Sequence, residues 1–189
     1  MSAYKFSLNP QVVDLVKTEN RIIQTLIPAP GTREVLERLE SVESRSMQGQ
    51  IPFVWNRAVG HSLFDSEGNC WIDFTSTIFV ANIGHSNETL LTKLKKALES
   101  ELIHTYAYLS EIRADYIERL VKFAGPQFDK AFLMSSGTEA TEAALKLMRL
   151  RGLSKSETKT GIICIENNWH GRTMGAQLMS SNPEQRKWI

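Results

Sequence analysis

The sequence predicts an α/β chain, and three observations carry that prediction. After residue 126 short apolar runs alternate with helical segments: Ala131 to Met134, Gly137 to Arg151, Gly161 to Ile165, then a helix opening at His170. Strands alternating with helices indicate βαβ units and a parallel sheet. Upstream, Ser62-Leu63-Phe64 and Cys70-Trp71-Ile72 flank the turn-rich Asp65-Ser66-Glu67-Gly68-Asn69, the pattern of a β-hairpin. Finally, a chain of 189 residues that is 42% hydrophobic and 23% charged has enough apolar mass for a core. Its length suggests one domain and the start of a second.

The elements follow in order. Residues 1–27 read as an amphipathic arm in which Val12, Val13, Leu15, Val16, Ile22, Ile23, Leu26 and Ile27 alternate with polar positions. Pro28-Ala29-Pro30-Gly31 breaks any helix there. Thr32 to Glu43 is helical, with Val35, Leu36, Leu39 and Val42 at helical spacing. Phe53, Val54 and Trp55 are strand formers. The Asp65 loop is not a calcium loop: its sixth position is Cys70 where glycine is needed, and its twelfth is Ser76 where glutamate is needed. Asn87 to Glu99 and Ile112 to Phe123 are helices, the first with Leu90, Leu91, Leu94 and Leu98 on one face, the second with Ile117, Leu120 and Val121 inward. Gly125-Pro126 stops the second.

Composition excludes several classes. With 22 Lys+Arg against 21 Asp+Glu, the net charge of +1 argues against a nucleic-acid binder built on a broad basic face. No run approaches the ~20 apolar residues of a membrane span. Cys70 and Cys164, far apart in sequence, fit a reduced, cytoplasmic protein rather than a disulfide scaffold. Residues 1–9 hold no apolar run long enough for a secretory signal, so the sequon Asn87-Glu88-Thr89 is expected to be unmodified. His61, His85, His104 and His170 show no metal-ligand spacing. The G-x-x-x-x-G-K-[ST] and G-x-G-x-x-G phosphate loops and the G-x-S-x-G elbow are all missing from the sequence.

The informative segment is Phe132-Leu133-Met134-Ser135-Ser136-Gly137-Thr138-Glu139-Ala140, an apolar run passing through two serines and a glycine into a helix. Free N–H groups of a first helical turn and the helix dipole favour an anion. Gly137 allows close backbone approach, and Ser136 and Thr138 offer hydroxyls, so the corner can hold a phosphate. An alternative needs no ligand: Ser136-x-x-Glu139 is a capping box. A second constellation, Glu166-Asn167-Asn168-Trp169-His170-Gly171-Arg172-Thr173, follows the second apolar run. In a parallel βαβ unit both strand ends open on one edge, which would set Trp169 and His170 above Gly137. Equally, Trp169 can be loop packing and His170 a hydrogen-bonded structural histidine.

Here a resemblance enters. Ser136-Gly137-Thr138-Glu139-Ala140-Thr141-Glu142-Ala143-Ala144-Leu145-Lys146 resembles the cofactor-phosphate segment of class III pyridoxal-phosphate aminotransferases, the ω-aminotransferase group. Trp169-His170-Gly171-Arg172-Thr173 resembles the aromatic-His-Gly-Arg-Thr segment that follows it. Asp65, Gly68, Trp71, Ile72 and Asp73 resemble the family's hairpin, and Asn82-Ile83-Gly84-His85 its Asn-x-Gly-His turn. The likeness covers roughly residues 30–180, with four motifs in family order.

The resemblance implies fold type I, with a domain layout of arm and helix at 1–45, partial small domain at 46–125 and the start of the cofactor-binding large domain at 126–189. It implies that Ser136, Gly137 and Thr138 hold the phosphate of pyridoxal 5'-phosphate, that Trp169 stacks on the ring, and that His170 stands beside it. Trp169 replaces the more usual Tyr or Phe, and Ser135 the more usual Asn or Thr. Phe79, Tyr106 and Tyr108 fall at substrate-side positions; packing in a core or interface is the alternative for all three.

The family also needs a Schiff-base lysine and an acidic partner for the ring nitrogen. Both lie downstream of the aromatic-His-Gly segment, whereas this sequence reaches Ile189 nineteen residues after His170. Lys187, in Gln185-Arg186-Lys187-Trp188, does not resemble the cofactor-lysine segment. The expectation is therefore an N-terminal portion, inactive alone, that binds the cofactor by its phosphate with a net ~4 kcal/mol, or ~1 mM. The parent reaction would move an amino group from an amine or amino acid to a 2-oxo acid. A homodimer or other self-association is expected. Rival readings are an aminomutase or decarboxylase on the same scaffold, and a non-catalytic module pairing with a complete aminotransferase subunit.

Overall fold

The computed structural model describes residues 6–44, 51–104 and 107–189; Tyr106 lies outside them. The chain divides into two compact units, Met1–His104 and Thr105–Ile189.

The first unit is built on a five-stranded sheet in the order β1-β2-β5-β4-β3, formed by β1 (Val16–Lys17), β2 (Ile22–Ile23), β3 (Arg57–Val59), β4 (Ser62–Phe64) and β5 (Cys70–Ile72). All its pairings are antiparallel. The expected hairpin is β4–β5, with Leu63 opposite Trp71 and Phe64 opposite Cys70. The expected arm folds back as β1–β2 and joins the hairpin where Ile22 meets Cys70. Two-residue strands are too short to leave a readable alternation, which is why the sequence shows only amphipathic character there.

A buried polar knot ties arm to hairpin. Asp65 Oδ1 accepts from the backbone N–H of Glu67 at 3.0 Å and of Asn69 at 2.9 Å, and Asp65 Oδ2 accepts from Asn69 Nδ2 at 2.7 Å. Asn69 Nδ2 also donates to Thr25 Oγ1 at 2.7 Å, and Asn69 Oδ1 accepts from Gln24 N at 2.8 Å. Asn69 is fully buried, and every polar atom of its amide is partnered, as burial requires. Phe53 and Trp55 are not in a strand: Phe53 meets Trp71 edge-on at 5.7 Å and Trp55 meets His85 at 5.6 Å. The rings are used in packing, and the strand begins at Arg57 instead.

Helix α1 (Thr32–Val42) follows Gly31, whose φ of +81° suits a residue without Cβ. The turn α2 (Ser76–Phe79) is left-handed, with φ of 47°, 57°, 58° and 69° at Ser76, Thr77, Ile78 and Phe79. Helix α3 (Glu88–Glu99) is capped by Asn87, whose Oδ1 accepts from Leu90 N at 3.2 Å while its Nδ2 donates to Ile83 O at 3.3 Å. The sequon asparagine thus has a structural task.

The second unit holds α4 (Glu111–Ala124), α5 (Gly137–Leu153), α6 (Met174–Leu178) and α7 (Pro183–Arg186). Gly152 lies against the Lys159 carbonyl, leaving no room for a Cβ where α5 ends. The apolar runs 131–134 and 161–165 flank α5 in the expected order but pair with no strand among the described residues. A strand exists through its ladder, and here no neighbour completes one; Ile163 accordingly stands 99% exposed. Among the described residues no helix is long and apolar enough to cross a membrane.

Candidate functional site

The corner at the start of α5 is built from its cap upward. Ser136, in extended conformation, is the N-cap; its Oγ accepts from Glu139 N at 3.3 Å and donates to Glu139 Oε2 at 3.2 Å. The Ser136 half of the capping box is therefore formed, while the Glu139 carboxylate meets the Ser136 hydroxyl in place of its backbone N–H. Beside it the space around Gly137 is open: nothing lies within 4 Å of where a Cβ would sit. The N–H groups of Gly137 and Thr138 make no hydrogen bond among the described residues. Two free donors at the positive end of a 17-residue helix, next to an open glycine, suit a phosphate ester.

The loop after the second apolar run is seated on this corner. Gly171, at φ +130°, presses its Cα against Thr138, and a Cβ would overlap the Thr138 side chain. Thr173 Oγ1 lies 3.0 Å from Thr138 Oγ1 and donates to Glu142 Oε1 at 2.5 Å. The same Glu142 oxygen accepts from Ala176 N at 3.0 Å, so Glu142 anchors the first turn of α6. Gly175 permits this, since a side chain there would collide with the carboxylate. These donors, the Thr173 hydroxyl foremost, hold the Glu142 carboxyl below its ordinary pKa.

The sequence-predicted residues fall as follows. Ser136, Gly137 and Thr138 form the corner, and the Trp169–Thr173 loop reaches it through Gly171 and Thr173. His170 is half-buried, while Trp169 is 60% exposed with the Arg172 guanidinium 5.6 Å from its ring centre. Tyr108 is exposed in the second unit, and Phe79 is exposed in the left-handed turn of the first. Tyr106 is not among the described residues. A cleft of about 540 Å³ in the second unit is lined by Leu145, Arg149, Ile162 and Cys164 but by no residue of the corner. Sequence reasoning missed the link through Glu142. Spacing alone sets Glu142 one turn after Thr138 on the same helix face, but nothing local points to its partner Thr173, 31 positions on.

In the first unit, Asp73 gathers four donors. Its Oδ1 accepts from Thr75 N and Thr75 Oγ1 at 2.8 Å each and from Ser76 N at 3.0 Å; its Oδ2 lies 2.7 Å from His85 Nε2. The His85 hydrogen bond leads these causes in lowering the Asp73 pKa from 3.8 to about 2. The pair borders a cleft of about 340 Å³ shared with Gly60, His61, Ser76 and Asn82.

Comparison with known proteins places the chain in a family. The family model "Aminotransferase class-III" matches residues 44–188, and the chain belongs to that family. Among curated relatives, the mitochondrial acetylornithine aminotransferase of Candida glabrata is 41% identical over 137 residues, covering 69% of this chain and 32% of the relative. The acetylornithine aminotransferase of Clostridium acetobutylicum is 36% identical over 141 residues, covering 74% and 36%. The chain thus spans about a third of the length of the curated relatives it matches. The solved acetylornithine aminotransferase of Elizabethkingia anophelis superposes with a TM-score of 0.63 at 28% identity, covering 81% of this chain and 38% of the other. The ornithine aminotransferase of Toxoplasma gondii gives a TM-score of 0.70 at 20% identity, covering 82% and 37%, a likeness of fold alone. The fold is that of the N-terminal portion of these α/β transaminases.

Proposed function

We propose that this chain supplies the phosphate-holding corner and the ring-side loop of a pyridoxal 5'-phosphate aminotransferase. The reaction moves an amino group from an amine or amino acid to a 2-oxo acid, and the names of the relatives favour a donor with a terminal amino group. The observation that carries the reading is the seating of Gly171 and Thr173 on Thr138, beside the free N–H groups of Gly137 and Thr138. These N–H groups hold the phosphate, Trp169 offers a flat face to the ring, and His170 stands alongside. When bound, the cofactor supplies the electron sink for amino transfer. Ser136 fits a second role better, since its hydroxyl is engaged on both sides by Glu139. We further propose three regions at 1–45, 46–125 and 126–189, a cytoplasmic protein, and a homodimer. These 189 residues alone bind the cofactor only by its phosphate, at ~1 mM.

The test compares pyridoxal phosphate with pyridoxal as ligands, read by tryptophan fluorescence and equilibrium dialysis. Wild type should prefer the phosphorylated form about tenfold or more, a difference of about 1.4 kcal/mol. Gly137→Leu fills space that the protein leaves open, so folding should survive while the preference vanishes. Equal binding of both ligands by wild type would overturn the reading. So would a visible absorption band that borohydride fixes to one lysine of this chain, in the case of phosphate-only binding.

A further inference from the structure

The hydroxyl chain Glu142–Thr173–Thr138 has a direction, and that direction has a consequence for the corner. Thr173 carries one hydroxyl proton and donates it to Glu142 Oε1 at 2.5 Å. At 3.0 Å from Thr173 Oγ1, Thr138 Oγ1 can bond to it only as donor, because Thr173 has no second proton. The proton of Thr138 therefore points at Thr173, and the corner receives its lone pairs. An anion there meets two N–H donors and one misdirected hydroxyl.

We infer that Glu142 is a positioning residue which, acting through Thr173, sets the direction of the Thr138 hydroxyl and thereby tunes how strongly the corner holds a phosphate ester. The inference rests on the phosphate reading above. For Thr138 to donate to phosphate, its proton must leave Thr173. Thr173 can then donate to Thr138 only by releasing Glu142. A bond to a carboxylate is roughly twice as strong as one to a neutral acceptor, so the ionised Glu142 opposes the reversal. A neutral group at 142 relaxes it, and a protonated carboxyl would feed the chain in the anion-binding direction. The other charged or titratable groups are Glu139, Lys146, Arg149 and Arg151 on α5 and His170 and Arg172 on the loop. Glu139 is occupied with Ser136.

The anchoring of α6 is a competing, purely structural task for Glu142, and the variants separate the two. Glu142→Gln keeps an acceptor for Ala176 N but weakens the hold on the Thr173 proton. The quantity measured is the ratio of pyridoxal to pyridoxal phosphate dissociation constants in wild type, Glu142→Gln, Thr173→Val and the double variant. Glu142→Gln should raise the ratio about five- to tenfold, and within the Thr173→Val background it should change it less than about twofold. An equal gain in both backgrounds would mean a through-space charge effect and would overturn the inference, as would no gain or a loss. A ratio of one in all four proteins would instead remove the phosphate reading itself, and this inference with it. Carboxyl NMR gives a ligand-free check: Thr173→Val should raise the Glu142 pKa toward its ordinary value, and an unmoved pKa would show that the chain does not form.

Discussion

Asp73 and His85, twelve positions apart, close a loop with one hydrogen bond, Oδ2 to Nε2 at 2.7 Å. Both side chains are largely shielded, at 3% and 12% exposure. Inside the loop lies the left-handed turn Ser76–Phe79. Left-handed geometry costs ~1–2 kcal/mol per residue without glycine, so the turn must be held from outside. Asp73 holds its start through Thr75 and Ser76, and His85 holds the far end, pinned by reciprocal 2.8 Å backbone bonds to Gly60.

Asp73→Ala should therefore cost about 2–4 kcal/mol, the loss of a cap and a charged hydrogen bond together. Denaturant unfolding would read the cost, and amide exchange should rise across 76–85. The pH dependence follows from the sign of the shift. The folded carboxyl titrates at about 2 against an ordinary 3.8. Its stabilisation is complete above the ordinary value and is lost as pH falls from there through 2. After solvent screening it is on the order of 1 kcal/mol. Asp73→Asn should flatten the acid limb of the stability profile in this window; an unchanged limb would show that the pair carries no folding energy.

Gly171 makes a sharper prediction about the corner. Its φ of +130° is disfavoured for any side chain, and a Cβ would run into Thr138. Gly171→Ala should cost about 1–3 kcal/mol and push the 169–173 loop off α5. Fluorescence of Trp169 should change with it. A variant as stable as wild type, with unchanged emission, would mean that the loop does not rest on Thr138.

How far the sequence foretold these features depends on how local each one is. The β4–β5 hairpin, helix α3, and α5 with its Ser136 cap were readable because turn residues, periodicity and caps act within a few positions. The strands β1 and β2 were not, because two residues each are too few to show an alternation, and what fixes β2 in the sheet is Cys70, almost fifty residues away. The 131–134 and 161–165 runs read as strands on apolar content, yet a ladder needs partners that composition cannot supply. At the corner, the motif Ser136-Gly137-Thr138 was legible, whereas Glu142–Thr173 was not. That contact joins residues 31 positions apart, and only the fold brings them together.

Asn69 offers a test of the knot between arm and hairpin. Asn69→Ala removes the amide that serves Asp65, Thr25 and Gln24, leaving the buried Asp65 with one fewer donor. Unsatisfied buried groups cost about 1–3 kcal/mol each, so a loss of about 3 kcal/mol is expected. Asn69→Asp should be worse, since it sets a second carboxylate against Asp65. Limited proteolysis would then cut the arm first. Retained protection of residues 6–27 would show that the β1–β2–β5 pairing stands without the knot.

Ser136 separates capping from phosphate binding. The hydroxyl accepts from Glu139 N and donates to the Glu139 carboxylate, so its hydrogen-bonding capacity is largely used within the helix cap. Ser136→Ala should lower stability by about 1 kcal/mol and reduce the pyridoxal phosphate preference less than about threefold. Ser136→Asp preserves the cap, because aspartate is as good an N-cap as serine, but it places a negative charge where the phosphate would sit. Stability should then fall by no more than about 1 kcal/mol, because the new carboxylate cannot donate to Glu139 and stands beside it, while the phosphate preference disappears. If Ser136→Ala instead abolished the preference with little loss of stability, the hydroxyl would be a direct phosphate ligand, and Glu139 would have to release it on binding.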